Sequence, residues 1–256
     1  MGDYAPPIGA LLKMGEPARL QGESDYLALG FGPAHVPELI RLLQDDDLSQ
    51  GAPDTPEVYA QVHAWRALGQ LRAPEAIEPL LDLLAEQGLE DWDDWITEGV
   101  PDALGQIGPA AIPAVVARLH ASSRSEYLPS YYANALVAVA ERFPETRSEV
   151  INHLCHALRT VSHHPTTNGF IVSDLISLGA KESLPVIEVA FALGNVDEGI
   201  AGDVAMVKYS LGLGPLPPAS SRGGWSLPGA GSNARQRFNA RQRKKTAEKK
   251  KNKKRK

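Results

Sequence analysis

The sequence predicts an all-α protein, an α-solenoid of helical hairpins with a disordered basic C-terminal tail. The first observation is an apolar pattern at i, i+3, i+4 and i+7, which places four side chains on one face of a helix. The second is its recurrence, with successive copies starting 41, 35, 39 and 33 residues apart. A period of this size with two helices per unit is typical of a solenoid. The copies are Val36/Leu39/Ile40/Leu43, Ile77/Leu80/Leu81/Leu84, Ile112/Val115/Val116/Leu119, Ile151/Leu154/Cys155/Leu158 and the weaker Leu184/Ile187/Glu188/Phe191.

The turn before each pattern repeats as well. Pro33, Pro74 and Pro109 each lie three residues before the first apolar position. Proline is accepted in the first turn of a helix, where its missing N–H would have no partner. Residues 67–71 (ALGQL) recur as 103–107 (ALGQI), so the first helix of each hairpin also repeats. Their glycines cost about 1 kcal/mol relative to Ala inside a helix, and therefore indicate close helix packing.

The elements follow in chain order. Residues 1–31 predict an irregular N-terminal cap with short helical pieces around 8–14 and 25–31, and residues 32–213 predict the solenoid. The Asp45-Asp46-Asp47 run ends the first helix pair, and residues 49–56 predict a loop. Further helices are predicted over 57–71, 129–142, 145–159, 168–178, 181–193 and 199–211.

Charge is divided unevenly along the chain. Residues 235–256 hold 13 Lys and Arg and one acid, a net +12, whereas the remainder has a net charge of −17. Residues 214–234 are rich in Pro, Gly and Ser and predict a flexible linker. The basic segment predicts a disordered tail, because like charges repel and little of it can be buried.

Composition excludes several classes of protein. The single cysteine, Cys155, excludes intramolecular disulfides and multi-cysteine zinc sites, and its core position favours a small buried side chain over a nucleophile. No apolar run approaches the roughly 20 residues of a membrane span, and residues 1–17 lack a signal-peptide pattern. We therefore expect a cytoplasmic protein.

The histidines do not predict a metal or catalytic site. His153 and His156 fall opposite the apolar stripe, with His163 and His164 just beyond, and are expected to be a solvated polar face. His63 lies beside a core stripe and predicts a hydrogen bond to a neighbouring helix. No catalytic residue, metal site or cofactor is predicted. Asp197 and Asp203 are expected to cap or brace the last helix.

One acidic and aromatic cluster is a candidate protein-binding site. Trp92 and Trp95 stand among acids in a predicted loop between units, and tryptophan is a frequent anchor at interfaces. The alternative is that both tryptophans cap the core and the acids are merely solvated. The acids nearest the tryptophans are Asp91, Asp93 and Asp94, flanked by Glu86, Glu90 and Glu98.

The tail is a candidate polyanion-binding segment. Lys-rich chains bind nucleic acid by counterion release without reading sequence, and Phe238 is the tail's single base-stacking candidate. Two alternatives stay open: the tail folds back on the acidic body, or it is a solubilising appendage. The candidate residues are Arg235, Arg237, Arg241, Arg243, Lys244, Lys245, Lys249, Lys250, Lys251, Lys253, Lys254, Arg255 and Lys256.

Residues 65–69 (WRALG) and 103–108 (ALGQIG), each followed by the turn and the apolar pattern, resemble HEAT-like repeats of the phycobilisome-lyase type. Residues 168–170 and 196–203 also resemble a group of uncharacterised bacterial HEAT-like proteins. The resemblance implies an armadillo-type superhelix and a non-enzymatic scaffold or adaptor that binds a protein. The charge of the tail adds the expectation that it contacts RNA, DNA or ribosomes. The alternative implied is an accessory or lyase-like subunit that assists attachment of a bilin-type cofactor to a client protein.

Other activities of similar proteins find no support in these residues. One enzyme type carries His-Glu pairs as iron ligands, and no histidine here is followed by Glu. Some relatives end in a Cys/His zinc knuckle, whereas this chain has one cysteine and a basic tail. Helical-repeat DNA glycosylases grip duplex DNA with a basic groove, which the net charge of −17 outside the tail disfavours.

Overall fold

The computed structural model describes residues 3–17, 24–49, 55–87, 94–121, 126–160 and 164–218. The regular secondary structure in these ranges consists of α-helices and 3-10 helices joined by turns, with no strand. The predicted fold class, an all-α solenoid of helical hairpins, is confirmed. Most of the predicted linker and all of the tail lie outside the described residues.

By its contacts the chain divides into two compact units, one of residues 1–121 with 131–150 and one of residues 122–130 with 151–256. The domain boundaries predicted from the sequence stay a prediction.

The first unit is a stack of helical hairpins. Helix α4 packs against α2 on one side and α6 on the other, and α5 contacts both α6 and α7. The α4–α6 contact stacks two first helices and the α5–α7 contact stacks two second helices, whereas α2, a second helix, packs against α4, the first helix of the next hairpin. The bounds are α1 Ile8–Leu11, α2 Val36–Leu43, α3 Asp46–Ser49, α4 Ala60–Gln70, α5 Ile77–Gln87, α6 Asp94–Ile107, α7 Ile112–Ala121 and α8 Leu128–Arg142, whose residues 128–130 belong to the second unit.

The second unit contains α9 from its residue 151 onward and the helices after it. Here α10 packs against α12, and α11 against α13. Its helices are α9 Arg147–Thr160, which begins in the first unit, α10 Pro165–Ser177, α11 Leu184–Ala192, α12 Glu198–Ala201 and α13 Val204–Ser210.

The repeated prolines open short 3-10 turns that lead directly into the second helix of each hairpin. The turn Pro74–Ala76 precedes α5, and the same turn precedes α2, α7 and α9 at Pro33–His35, Pro109–Ala111 and Pro144–Thr146. In the last hairpin, Lys181–Ser183 forms the turn without a leading proline. The turn geometry therefore does not require proline; proline only lowers the cost of adopting it.

The apolar pattern forms the core, most completely in α5. Leu80, Leu81 and Leu84 are fully buried there and Ile77 is nearly so. The third position of the pattern is only partly buried in some other copies, as at Ile40 in α2. Partial exposure also marks Val116, Leu158, Leu184, Glu188 and Phe191.

Both predicted helix-contact glycines lie where helices approach closely. A Cβ on Gly69 of α4 would lie 3.2 Å from the Cα of Ala103 in α6. A Cβ on Gly105 of α6 would lie 2.6 Å from the Cβ of Ala138 in α8 and 3.0 Å from its carbonyl carbon. The absence of a side chain at these positions sets the distance between neighbouring helices.

Several predicted helix limits are wrong. The N-terminal pieces shrink to α1 and a run of turns over 26–30, and one helical turn, α3, begins inside the run of three aspartates. The final helix is split into α12 and α13, because Gly202 adopts a φ of 78° that ends the first piece. Both flanking aspartates act as N-caps: Asp197 accepts a hydrogen bond from the Gly199 amide at 2.8 Å, and Asp203 from the Met206 amide at 2.7 Å.

Among the described residues, no single helix has the length and apolarity needed to cross a membrane. One pair of helical segments, Trp95–Ile107 with Pro109–Ala121, meets those criteria jointly but is bent by 112°.

Candidate functional site

Trp95 lies near the start of α6, and not in a loop as the sequence predicted. Its side chain is half-buried. The Tyr59 ring packs edge-on against it with 6.1 Å between ring centroids, and the Arg66 guanidinium lies 5.6 Å above it. These are favourable aromatic and cation–π distances. Trp95, Tyr59 and Arg66 form what we call the aromatic cluster, which neither fills the core nor is fully exposed.

The side chains of the other predicted protein-binding residues lie outside the described part of the structure. Trp92, Asp91 and Asp93 lie outside the described residues, and so do the 13 candidate basic residues of the tail. Asp94 is the first residue of α6, but its side chain is not described. The acidic part of the predicted site therefore stays a prediction.

Three polar side chains of α4, those of Gln61, His63 and Gln70, hydrogen-bond to residues that precede α4 in the first unit. The Gln61 amide donates to the Leu43 carbonyl at 3.0 Å. Gln70 accepts from the Tyr26 amide N–H at 2.9 Å and donates to the Ser24 carbonyl at 2.9 Å. These bonds fix residues 24–26 against the C-terminal end of α4.

His63 completes this attachment. Its Nε2 lies 2.9 Å from the Gly15 carbonyl, which only accepts, so Nε2 carries the proton. Burial lowers the pKa of His63, so the ring is neutral and Nδ1 accepts from the Tyr26 hydroxyl at 2.7 Å. The residue that the sequence paired with a neighbouring helix bonds instead to the N-terminal segment.

Three histidines of the second unit lie on or near its surface. His156 is exposed, His153 is half-buried, and His164 caps α10 by accepting from the Thr166 amide. Within the described ranges, no three His, Cys, Asp or Glu side chains are grouped so as to hold a metal. Cys155 is buried, and that burial raises the pKa of its thiol.

A groove of about 470 Å³ lies in the first unit, at the C-terminal ends of α4, α6 and α8. Gly69, Gln70 and Gln106 line it from α4 and α6. Asp25 and Leu27 also line it, and each is next in sequence to Tyr26, whose amide bonds to Gln70. Arg72, Arg142 and Phe143 complete the lining.

Arg72 has an unusual backbone. It lies in the left-handed region with φ 50°, where glycine is favoured over residues that carry a Cβ. The equivalent residue one repeat later is Gly108, with φ 95°. The exposed side chain of Arg72 places its guanidinium 5.3 Å from the centre of the Phe143 ring.

Arg142 is differently placed. It donates to the Asp102 carboxylate at 2.5 Å and to the Ala138 carbonyl at 3.3 Å. Asp102 also accepts from the Gln106 amide at 2.9 Å. This network orients Arg142 and Gln106 at the groove.

Sequence reasoning missed Arg72, Tyr59 and Arg66. A signal for Arg72 was present, since aligning ALGQL-R with ALGQI-G puts an arginine where the next repeat has glycine. No comparable signal marks Tyr59, because its contact with Trp95 depends on how successive hairpins stack.

Comparison with known families supports the repeat assignment. Residues 61–86 match the model of the PBS lyase HEAT-like repeat. The match covers α4, the turn at Pro74 and nearly all of α5, which is one complete hairpin. No curated protein and no solved structure matches the chain. The hairpin of α4 and α5 is therefore a PBS lyase HEAT-like repeat, and the stacked helical hairpins around it support a HEAT-like repeat fold.

Proposed function

We propose that this protein is a non-enzymatic scaffold that binds a protein partner through the aromatic cluster. The observation that carries the proposal is the grouping of Trp95, Tyr59 and Arg66 at a half-buried surface. Tryptophan, tyrosine and arginine are the residue types that contribute most often to binding energy at protein interfaces.

The cluster is also pre-organised. Tyr59 and Arg66 restrain the Trp95 ring from two directions, so little side-chain entropy remains to be lost when a partner binds. A ring held in this way presents a constant shape to a partner, as an anchor residue must.

The test is affinity capture with quantitative mass spectrometry, using the full chain, Trp95→Ala and the matched control Tyr209→Ala. Tyr209 is an aromatic residue of α13 that is 37% exposed. The expected result is a partner retained by the wild type and the control and depleted at least tenfold by Trp95→Ala. Capture of every partner equally by Trp95→Ala, with circular dichroism unchanged, refutes the role of the cluster.

The lyase-like alternative requires a client protein that receives a bilin. The same captured proteins distinguish it: a partner that gains covalent bilin absorbance only when the chain is added indicates assistance in attachment. A partner that binds with no such transfer supports the scaffold.

A second role is proposed for the tail, namely sequence-independent contact with RNA, DNA or ribosomes. It is supported by the net +12 in residues 235–256, behind a linker that separates it from a body of opposite charge. If about six cations meet phosphates, log affinity should fall against log salt with a slope near −4 on single-stranded RNA and near −5 on duplex DNA.

The tail is tested with labelled RNA, titrated with the full chain, the isolated tail and a chain ending at residue 232. Binding by the first two and none by the third is expected. Equal binding by the full chain and the truncated chain at low salt refutes tail contact. Binding by the isolated tail alone supports the fold-back alternative.

A further inference from the structure

The solvent-exposed face of α11 carries large aliphatic side chains, unlike the same face of the other second helices. Val189 is 58% exposed, and Leu193, just beyond the end of α11, is 67% exposed. They are four residues apart and therefore share one face of the helix. The other four copies of the apolar pattern have polar residues or alanine at these two positions, namely Arg41 and Asp45, Asp82 and Glu86, Ala117 and Ala121, and His156 and Thr160.

This apolar face is small. The exposed residues between 184 and 193 are all apolar, and they are Pro185, Val189, Ala192 and Leu193. A stable dimer usually buries about 800 Å² on each partner and involves roughly 20–30 residues a side. Four residues on one helix provide much less than that. A short segment fits this face better than a second copy of the chain does.

The chain passes close to this face as it leaves the last helix. The Lys208 ammonium of α13 lies 2.7 Å from the carboxylate of Glu188, the residue before Val189. After α13 the Leu213 amide donates to the Lys208 carbonyl at 2.8 Å. A Cβ on Gly214 would lie 3.2 Å from the Cβ of Lys208. The segment that begins at Gly214 therefore starts beside a residue that is bonded to α11.

The sequence beyond this point contains a suitable pair of side chains. In residues 219–234 the large apolar side chains are Trp225 and Leu227. The following Pro228 favours extended backbone at Leu227, and side chains two residues apart on extended backbone point to the same side, about 7 Å apart. Val189 and Leu193 are about 6 Å apart along their helix, so the two spacings match.

The length of the chain allows the contact. From Gly214 to Trp225 the chain has eleven residues, which span at most about 36–40 Å when fully extended. The whole apolar face, from Pro185 to Leu193, is only about 12 Å long. A linker that served only as a flexible spacer would need no large apolar side chain.

We propose that residues 225–227 of this chain pack on the apolar face of α11, with the Trp225 and Leu227 side chains against Val189 and Leu193. The basic tail is then joined to the second unit through residues 228–234 only. The proposal goes beyond the scaffold function and does not depend on it, because it uses neither the aromatic cluster nor the basic residues of the tail.

The first test measures chymotrypsin cleavage after Trp225 by mass spectrometry. The full chain is compared with a synthetic peptide of residues 219–234, which gives the rate for an accessible site, and with the double variant Val189→Asp/Leu193→Asp. Both substituted positions are exposed, so the fold is retained. Ala117→Asp is the matched control, because Ala117 is exposed at the position in α7 that Val189 occupies in α11.

Cleavage of a segment that opens and closes rapidly reports the fraction in the open state. The expected result is cleavage of the full chain at least tenfold slower than that of the peptide. The double variant should be cleaved at least tenfold faster than the wild type, and Ala117→Asp at the wild-type rate. A wild-type chain cleaved as fast as the peptide, or a double variant cleaved as slowly as the wild type, overturns the proposal.

The second test leaves α11 unchanged. Trp225→benzoylphenylalanine is introduced into the full chain, and an equal mixture of unlabelled and ¹⁵N-labelled chains is irradiated. The expected result is a cross-link to residues 185–193 within one chain. Cross-links that join an unlabelled to a labelled chain assign the face to a second copy and overturn the proposal, as does the absence of any cross-link to α11.

Discussion

Replacing Gly105 by Ala tests how closely α6 and α8 pack. On an isolated helix the change would stabilise by about 1 kcal/mol, because Ala has the higher helix propensity. Here the new Cβ would lie 2.6 Å from the Cβ of Ala138, 3.0 Å from its carbonyl carbon and 3.1 Å from its carbonyl oxygen. Two of these atoms belong to the backbone, so no change of rotamer relieves the contact and the helices must separate.

Overpacking of this kind costs about 1–3 kcal/mol, and contact with backbone indicates the upper part of that range. After the gain in propensity, we expect a net loss of about 1–2 kcal/mol. For a protein of this size each kcal/mol corresponds to roughly 2–4 °C in Tm, so the Gly105→Ala variant should melt about 2–8 °C lower. Thermal unfolding followed by circular dichroism measures this shift.

The matched control is the double variant Gly105→Ala/Ala138→Gly. Ala138→Gly alone should cost about 1 kcal/mol from propensity, but in the double variant it removes the shortest contact. The two changes should therefore be less harmful together than their sum, by about 1 kcal/mol. A Gly105→Ala variant as stable as the wild type, or strictly additive effects, would refute the close contact.

The remaining predictions concern the core, the strained arginine and the buried histidine. Leu81→Asp should lose several kcal/mol because it buries a charge in the centre of α5, whereas Leu81→Met should lose less than about 1.5 kcal/mol; equal melting of the two contradicts the core assignment. Arg72→Gly should be more stable than Arg72→Ala by about 1 kcal/mol, because Ala keeps the left-handed strain, and denaturant unfolding that reverses the order contradicts it. Burial lowers the pKa of His63 below 6.5, so the unfolded chain takes up the proton first and stability should fall as the pH drops below about 6.5. His63→Gln should lose less stability than the wild type between pH 7.5 and 5.5 in urea titrations, and a parallel loss in both proteins would rule out His63 as the cause.

The sequence predicts the hairpins because their determinants are local. The spacing of Leu80, Leu81 and Leu84 is enough to define the buried face of α5, and a proline marks the turn before α2, α5, α7 and α9. The break at Gly202 was missed, because an isolated glycine is compatible with either a helix interior or its end.

The candidate sites were less predictable, because they combine distant segments. The groove is lined by residues from Asp25 to Phe143, and the aromatic cluster joins Tyr59 to Trp95 across two hairpins. Such contacts depend on stacking distances that glycine and alanine set, and no pattern within one helix records them. Sequence alone identified Trp95 but not the residues that restrain it.

The polar side chains of α4 determine whether this repeat can be deleted from the chain or moved to another position in it. Repeats of a solenoid are nominally interchangeable, since each needs only a neighbour on either side. Gln61, His63 and Gln70 make the matched repeat an exception, because they bind main-chain or side-chain groups of the segment between residues 15 and 45. Deleting or transplanting this repeat would leave those groups without their partners. We therefore expect that repeats can be added or removed after this hairpin, whereas the hairpin itself must stay joined to its N-terminal segment.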